Sequence, residues 1–132
     1  MTAWALDTDV VIGALDRRDA HHEQAADALL AALAGGGRLL LCAVNYAEAL
    51  VRPSEHDETL RRAVRAIAAL RIEVTAPDAA DGRAAARARG LGISLADGFA
   101  LATAARHDAA VATFDTRVLR AAATLELPIA DL

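Results

Sequence analysis

Residues 3–15 read AWALDTDVVIGAL, and this stretch decides the fold. Its first four residues predict a short strand, which Asp7-Thr8-Asp9 brings to an end. The apolar run that follows predicts a helical turn, for which Thr8 or Asp9 is a plausible N-cap. A strand that passes through an acidic residue directly into a helix is typical of an α/β unit.

The same alternation continues along the chain. The run Leu39-Leu40-Leu41 has no polar alternation, which is typical of a parallel strand covered on both faces. Alternating strands and helices predict an α/β domain with a central, mostly parallel sheet. We expect strands at 38–42, 71–75 and 109–113 with an edge strand at 125–129, and helices at about 21–33, 44–51, 57–70, 77–89, 94–106 and 116–123.

The composition favours a single domain that spans residues 1–132. At 132 residues and 55% hydrophobic, the chain can bury one core without disulfides. The single cysteine, Cys42, lies in an apolar run and is interpreted as a buried residue. The N-terminus lacks the basic segment of a signal peptide, and no apolar stretch reaches the roughly 20 residues of a membrane span. We therefore expect a cytoplasmic protein with no membrane partner.

The formal net charge of −4 gives no bulk electrostatic reason to expect a nucleic-acid partner. All fourteen basic residues are arginine. Arginine pairs bidentately with phosphate and with carboxylate. Genomic base bias explains the same composition, and on composition alone we favour that explanation.

Four acidic residues follow the predicted strands within apolar surroundings. Asp7 follows the first strand, Glu48 lies one helical turn past the second, Asp97 opens a helix after a glycine-rich turn, and Asp115 follows the fourth strand. Ligands of parallel sheets bind at the carboxyl ends of the strands. Carboxylates seldom enter apolar surroundings unless they are paired or bound to a metal. We therefore expect the four acids to share one edge of the sheet.

Convergence of these acids would require a cation. Two carboxylates about 4 Å apart repel by roughly 4 kcal/mol at an effective dielectric of 20. Hard oxygen ligands without histidine or cysteine point to Mg²⁺ or Mn²⁺ rather than zinc. With open positions, such an ion can bind a phosphate oxygen and lower the pKa of a water.

Three of the acids have an alternative structural role. Asp7 and Asp115 could each be helix N-caps. Asp97 could be a first-turn acid in a variant capping box with Ser94. Glu48 has no capping role, because we expect it to be buried in the middle of its helix.

The ordered set of motifs resembles the PIN-domain nucleases and, among them, the VapC-type toxins. The motifs are Leu6-Asp7-Thr8-Asp9-Val10-Val11-Ile12, Asn45-Tyr46-Ala47-Glu48-Ala49-Leu50, the stretch 95–104 around Asp97, and Val111-Ala112-Thr113-Phe114-Asp115. The resemblance implies a three-layer α/β/α fold and metal-dependent endonucleolytic cleavage of RNA. It implies that Asp7 and Asp97 hold the metal most directly, while Glu48 and Asp115 complete the pocket.

The resemblance also implies supporting residues and partners. Thr113 corresponds to a hydroxyl residue that orients a carboxylate or a water. Asp9 stands where many members carry asparagine, and we interpret it as a helix cap rather than a metal ligand. The implied partners are a VapB-type antitoxin, which pushes a basic side chain toward the acidic pocket, and a second copy in a homodimer. Candidate RNA contacts are Arg17, Arg18, Arg52 and Arg117.

Two other functions stay open from sequence. The segment Leu6-Asp7-Thr8-Asp9-Val10 also resembles the opening of haloacid-dehalogenase-like phosphatases, which normally need a lysine that this chain lacks. The second alternative is a catalytically inert PIN-type module that acts by protein binding.

Overall fold

The computed structural model describes residues 2–132 and contains a four-stranded parallel sheet. Its strands are β1 (Ala3–Leu6), β2 (Arg38–Cys42), β3 (Ile72–Thr75) and β4 (Ala110–Ala112). They lie in the order β3-β2-β1-β4, and every pairing is parallel. The carboxyl ends of all strands therefore share one edge. The strand order reverses beside β1, so the crevice between the ends of β1 and β4 is where such sheets bind ligands.

Seven helices and two 3₁₀ turns within residues 2–132 surround the sheet. Within residues 2–132, none of the helices is both long enough and apolar enough to cross a membrane. The helices are α1 (Thr8–Leu15), α2 (His22–Ala34), α3 (Ala43–Leu50), α4 (Asp57–Ala69), α5 (Ala79–Ala88), α6 (Leu95–His107) and α7 (Thr116–Thr124), with 3₁₀ turns at Pro53–Glu55 and Arg89–Leu91.

The core has two apolar layers, one on each face of the sheet. Leu39 and Leu41 of β2 pack into the layer built by α1 to α4, whereas Leu40 packs into the layer built by α5 to α7. All three leucines are fully buried, and each such burial contributes about 1.5–3 kcal/mol. The predicted three-layer α/β/α architecture is thus confirmed.

Most predicted boundaries agree with the structure to within two residues, but the final edge strand does not form. The C-terminal segment makes only an isolated bridge, in which Val111 flanks Ile129. Val111 donates to the carbonyl of Pro128, and Ala130 donates back to the carbonyl of Val111, each at 2.8 Å. Pro128 has no N–H of its own, so the ladder cannot extend through it.

Close packing fixes the start of α6. A Cβ atom added at Gly98 would lie 2.8 Å from the backbone oxygen of Ala85 and 2.9 Å from its Cα. Such contacts are too short for a side chain, so only glycine lets α6 approach α5 this closely. The contact holds Asp97, the residue before Gly98, at the carboxyl edge of the sheet.

Candidate functional site

Asp7 lies at the end of β1 and is only 2% exposed. Its backbone N–H donates to the carbonyl of Ala112, which extends the β1–β4 ladder by one residue. Its Oδ1 accepts a 2.9 Å hydrogen bond from the N–H of Thr8, and its Oδ2 accepts a 2.8 Å bond from the hydroxyl of Thr113. Asp7, rather than Thr8 or Asp9, is therefore the N-cap of α1.

The surroundings of Asp7 oppose its negative charge. Burial, followed by the charge of Asp9, raises its pKa from 3.8 to about 7, and the charge of Asp97 adds to the rise. The hydrogen bonds from Thr113 and Thr8 lower the pKa but do not compensate. A bound cation would remove this penalty, because an opposite charge favours the ionised form.

Asp9 does not cap the helix, so our interpretation of it as a cap was wrong. It is the second residue of α1, and its side chain reaches across to the loop after β4. Its Oδ2 accepts a 3.0 Å hydrogen bond from the N–H of Phe114. Burial raises the pKa of Asp9, and the charge of Asp115 contributes to the rise. Asp9 thus anchors the loop that carries Asp115.

Thr113 joins two of the predicted site residues through one hydroxyl group. Its Oγ1 donates to Asp7 and accepts a 3.1 Å hydrogen bond from the N–H of Asp115. Next to it, the ring of Phe114 stacks on His21 with a centroid separation of 4.2 Å. These contacts hold the loop after β4 from both sides.

Asp115 stays ionised because of Arg117. It is the N-cap of α7, and its Oδ1 accepts a 2.8 Å hydrogen bond from the N–H of Arg117. The guanidinium of Arg117 also lies 3.2 Å from its Oδ2. Burial raises the pKa of Asp115, but the hydrogen bonds from Arg117 outweigh it and hold the pKa below its usual value.

Asp97 forms the predicted capping box with Ser94. The N–H of Asp97 donates to Oγ of Ser94 at 3.1 Å, and Oδ2 of Asp97 accepts from the N–H of Ser94 at 3.2 Å. Its other oxygen, Oδ1, makes no hydrogen bond to any group within residues 2–132. One carboxylate oxygen therefore stays available for a ligand.

Asp97 and Asp115 line a cleft of about 530 Å³, which we call the acidic cleft. Arg89 and Arg117 line it as well, together with Gly92, Ile93 and Ser94. The cleft thus combines carboxylates that suit a metal ion with guanidinium groups that suit phosphate. Of the four predicted arginines, only Arg117 lies here.

Glu48 does not line the acidic cleft and is exposed, so our expectation that it is buried was wrong. On α3 the inward positions are taken by Asn45 and Ala49, one helical turn apart. Glu48 lines a second groove, and its side chain makes no hydrogen bond or ion pair within residues 2–132. The same groove contains Arg18 and Arg52 but not Arg17, which is exposed in the turn after α1. The predicted role of Glu48 in the metal site stays a prediction.

The acidic side chains affect one another electrostatically but do not converge on a single point. Within residues 2–132, no three acidic, histidine or cysteine side chains converge as a ready-made metal site. A magnesium ion usually binds through one or two carboxylates and keeps several waters. The all-oxygen donors, and the repulsion that Asp9 and Asp97 each exert on the charge of Asp7, fit such an ion.

Two residues of this region were not predicted from the sequence. Asn45 is fully buried, and its Nδ2 donates to Oγ1 of Thr8 at 3.2 Å and to the carbonyl of Ala96 at 3.0 Å. Its signal in the sequence was an amide directly after the apolar run 39–44, three residues before Glu48 on the same helix. Arg89 was missed because it lies directly after α5, at the start of a 3₁₀ turn, and neither element had a predicted site residue. Its proximity to Asp97 arises only from the turn that follows.

Comparisons with known proteins agree on the fold. The family model of the PIN domain matches residues 5–124. Similar solved structures include VapBC-1 from nontypeable Haemophilus influenzae, with 19% identity, a TM-score of 0.70 and coverage of 99% of this chain and 98% of that chain. FitAcB from Neisseria gonorrhoeae has 22% identity and a TM-score of 0.66, and the match covers 98% of this chain and 97% of that chain. VapBC2 from Rickettsia felis, bound to a DNA fragment from its promoter, has 18% identity and a TM-score of 0.68. The match covers 91% of this chain and 92% of that chain. No curated protein matches the chain.

Proposed function

The chain belongs to the PIN domain family, and on this premise we propose that it is a divalent-metal-dependent endoribonuclease. The observation that carries the proposal is Asp7, a buried carboxylate whose pKa is raised to about 7 by burial and by its acidic neighbours. Groups with strongly perturbed pKa values cluster at functional sites. A buried acid beside other acids at the carboxyl edge of a parallel sheet suits a metal-dependent hydrolase.

Each acid has a proposed role. Asp7 and Asp97 would hold the ion, and Glu48 and Asp115 would complete the pocket, in part through water. When bound, Mg²⁺ or Mn²⁺ lowers the pKa of a water and neutralises charge on the phosphate. Thr113 fixes the orientation of the Asp7 carboxylate.

Asp115 is suited to orient the attacking water, because Arg117 keeps its carboxylate ionised and able to accept a hydrogen bond. In the hydrolysis that we propose, the attacking water gives up a proton to solvent and its oxygen forms a bond to phosphorus. The ester bond to the leaving oxygen breaks, and that oxygen takes a proton from solvent.

The proposed substrate is RNA, held locally by arginine. Arg89 and Arg117 line the acidic cleft, where guanidinium groups can pair with phosphate. Arg17, Arg18 and Arg52 stay predicted contacts for a strand that continues past the second groove. Local contacts of this kind explain how a protein of net charge −4 could bind a polyanion.

The proposed partner is a VapB-type antitoxin, which would make this chain the toxin of a VapBC-type pair acting in the cytoplasm. The similarity to structures of VapBC-1 and VapBC2 supports this proposal. The antitoxin would direct a basic side chain toward the acidic pocket and so compete with the metal. A homodimer is proposed from the resemblance alone.

A cleavage assay tests the function. The purified protein is incubated with single-stranded RNA and either Mg²⁺, Mn²⁺ or EDTA. We expect internal cleavage with either metal, none with EDTA, and recovery when metal is added in excess. Turnover of a generic phosphate monoester without RNA cleavage would favour the phosphatase. Loss of both activities in a folded protein would favour the inert binding module.

A further inference from the structure

Asn45 connects the two segments that carry the principal acids. It lies on α3, and one amide nitrogen donates both to the side chain of Thr8 and to the backbone of Ala96. Thr8 directly follows Asp7, and Ala96 directly precedes Asp97. A single buried group is thus bonded to the immediate neighbour of each acid.

The two segments need such a connection. The start of α1 packs into one apolar layer of the core, whereas α6 packs into the layer on the opposite face of the sheet. The carboxylates of Asp7 and Asp97 would repel each other when both are ionised and brought close to one cation site. A hydrogen-bonded link between α1 and α6 therefore opposes their separation.

The amide of Asn45 is not explained by space filling. Its Oδ1 is buried and has no hydrogen-bond partner within residues 2–132. An unpaired buried acceptor costs free energy, so an apolar side chain of similar size would fill the space better. Polar residues that break this rule are expected at functional sites.

We infer that Asn45 is a positioning residue that sets the separation of Asp7 and Asp97 for a divalent cation. The inference rests on the proposed function, because it requires a metal held by these two acids. Residues that orient metal ligands through hydrogen bonds typically change metal affinity by about 10- to 100-fold when they are removed.

Mn²⁺ binding by the whole chain, measured by titration calorimetry without RNA, tests the inference. Asn45→Leu keeps the branching and the number of heavy atoms of the side chain but removes both hydrogen bonds, and we expect its Kd for Mn²⁺ to rise about 10-fold or more. Its cleavage rate should recover at saturating Mn²⁺, because the acids themselves are intact. Ile67→Ala is the control for lost stability, since Ile67 is a buried residue of α4 outside the site. It should lower the Tm without changing the Kd.

Thr8→Val provides a second variant in case Asn45→Leu does not fold. It removes the hydrogen bond between Asn45 and Thr8 but leaves the one between Asn45 and Ala96, so we expect a smaller rise in the Kd for Mn²⁺. Wild-type affinity in Thr8→Val and in any folded Asn45→Leu would overturn the inference. A wild-type chain that binds Mn²⁺ through Asp7 but cleaves no RNA would refute only the proposed function. A wild-type chain that binds no Mn²⁺ would refute both.

Discussion

The hydroxyl of Thr113 donates a 2.8 Å hydrogen bond to Oδ2 of Asp7, although 106 residues separate the two along the chain. Leu6 and Ala112, the residues just before them, pair across β1 and β4. The two side chains therefore meet because their strands are neighbours at the point where the strand order reverses. This bond orients the carboxylate that we propose as a metal ligand.

Thr113→Val, which keeps the side-chain shape and removes the hydroxyl, should weaken Mn²⁺ binding by about 10- to 100-fold. Thr113→Ser should retain most of the affinity. Thr103→Val is the matched control, because among residues 2–132 the hydroxyl of Thr103 bonds only to the carbonyl of Phe99, which lies in the same helix. Equal Mn²⁺ affinity in Thr113→Val and Thr103→Val would show that the bond has no orienting role.

Without metal, the stability of the protein should depend on pH through Asp7. The pKa of Asp7 is about 7 in the folded protein, compared with 3.8 for the same group in the unfolded chain. Between these two pH values the folded state therefore binds more protons than the unfolded state. The free energy of unfolding should therefore fall as pH rises through this window, by about 4 kcal/mol at most.

Asp7→Asn removes this titration. Its Tm in EDTA should exceed that of the wild type at pH 8, and the difference should shrink toward pH 5. Asp27→Asn, an exposed position on α2, should show no such trend. A constant difference between Asp7→Asn and wild type, or one that grows toward low pH, would contradict the prediction.

Local patterns were enough to predict much of this fold. The run Leu39-Leu40-Leu41 indicated a strand buried on both faces, and Ser94 three residues before Asp97 indicated a capping box. Both features depend on neighbours in sequence. The contact of Asp9 with the N–H of Phe114 could not be predicted in this way, because it depends on two strand ends that only the folded sheet brings together.

The orientation of α3 was also beyond local prediction. Glu48 is surrounded by alanines in sequence, which suggested burial. The buried positions depend on how α3 packs between α1 and α6, and that packing turns Asn45 inward and leaves Glu48 exposed. The same packing made Asn45, and not Glu48, the residue that connects the two acidic segments.

A pair of glycine variants tests the packing that holds Asp97. Gly98→Ala should destabilise the protein by about 1–3 kcal/mol, because the new Cβ would collide with the backbone of Ala85. Gly82→Ala should stabilise the protein by about 0.5–1 kcal/mol, because among residues 2–132 the added Cβ would have no atom within 4 Å apart from its chain neighbours and the backbone of α5. Urea denaturation measures both. A neutral Gly98→Ala would mean that α5 and α6 can separate without cost.

Arg89→Ala should weaken binding of a single-stranded oligoribonucleotide by roughly 3- to 10-fold. Arg89 lines the acidic cleft and forms no ion pair with any carboxylate within residues 2–132, so its charge is available to phosphate. Fluorescence anisotropy in EDTA measures binding without cleavage. The slope of log K against log salt should decrease in magnitude by about 0.7, the value for one phosphate contact on a single strand.

The control for Arg89→Ala is Arg87→Ala, which makes the same change in charge two residues away on α5 but outside the cleft. It should leave RNA affinity nearly unchanged. If the two variants lose equal affinity, the effect is one of overall charge and Arg89 does not contact the strand.

We propose that Asp7 and Asp97 form a metal-dependent nuclease centre. Single-turnover cleavage of RNA, measured over a range of Mg²⁺ concentrations, tests this proposal. Asp7→Asn and Asp97→Asn should each remove cleavage at every concentration while the fold persists by circular dichroism. Asp27→Asn, which makes the same change at an exposed position outside the cleft, should cleave like the wild type. Cleavage that survives in both Asp7→Asn and Asp97→Asn would show that the metal centre lies elsewhere.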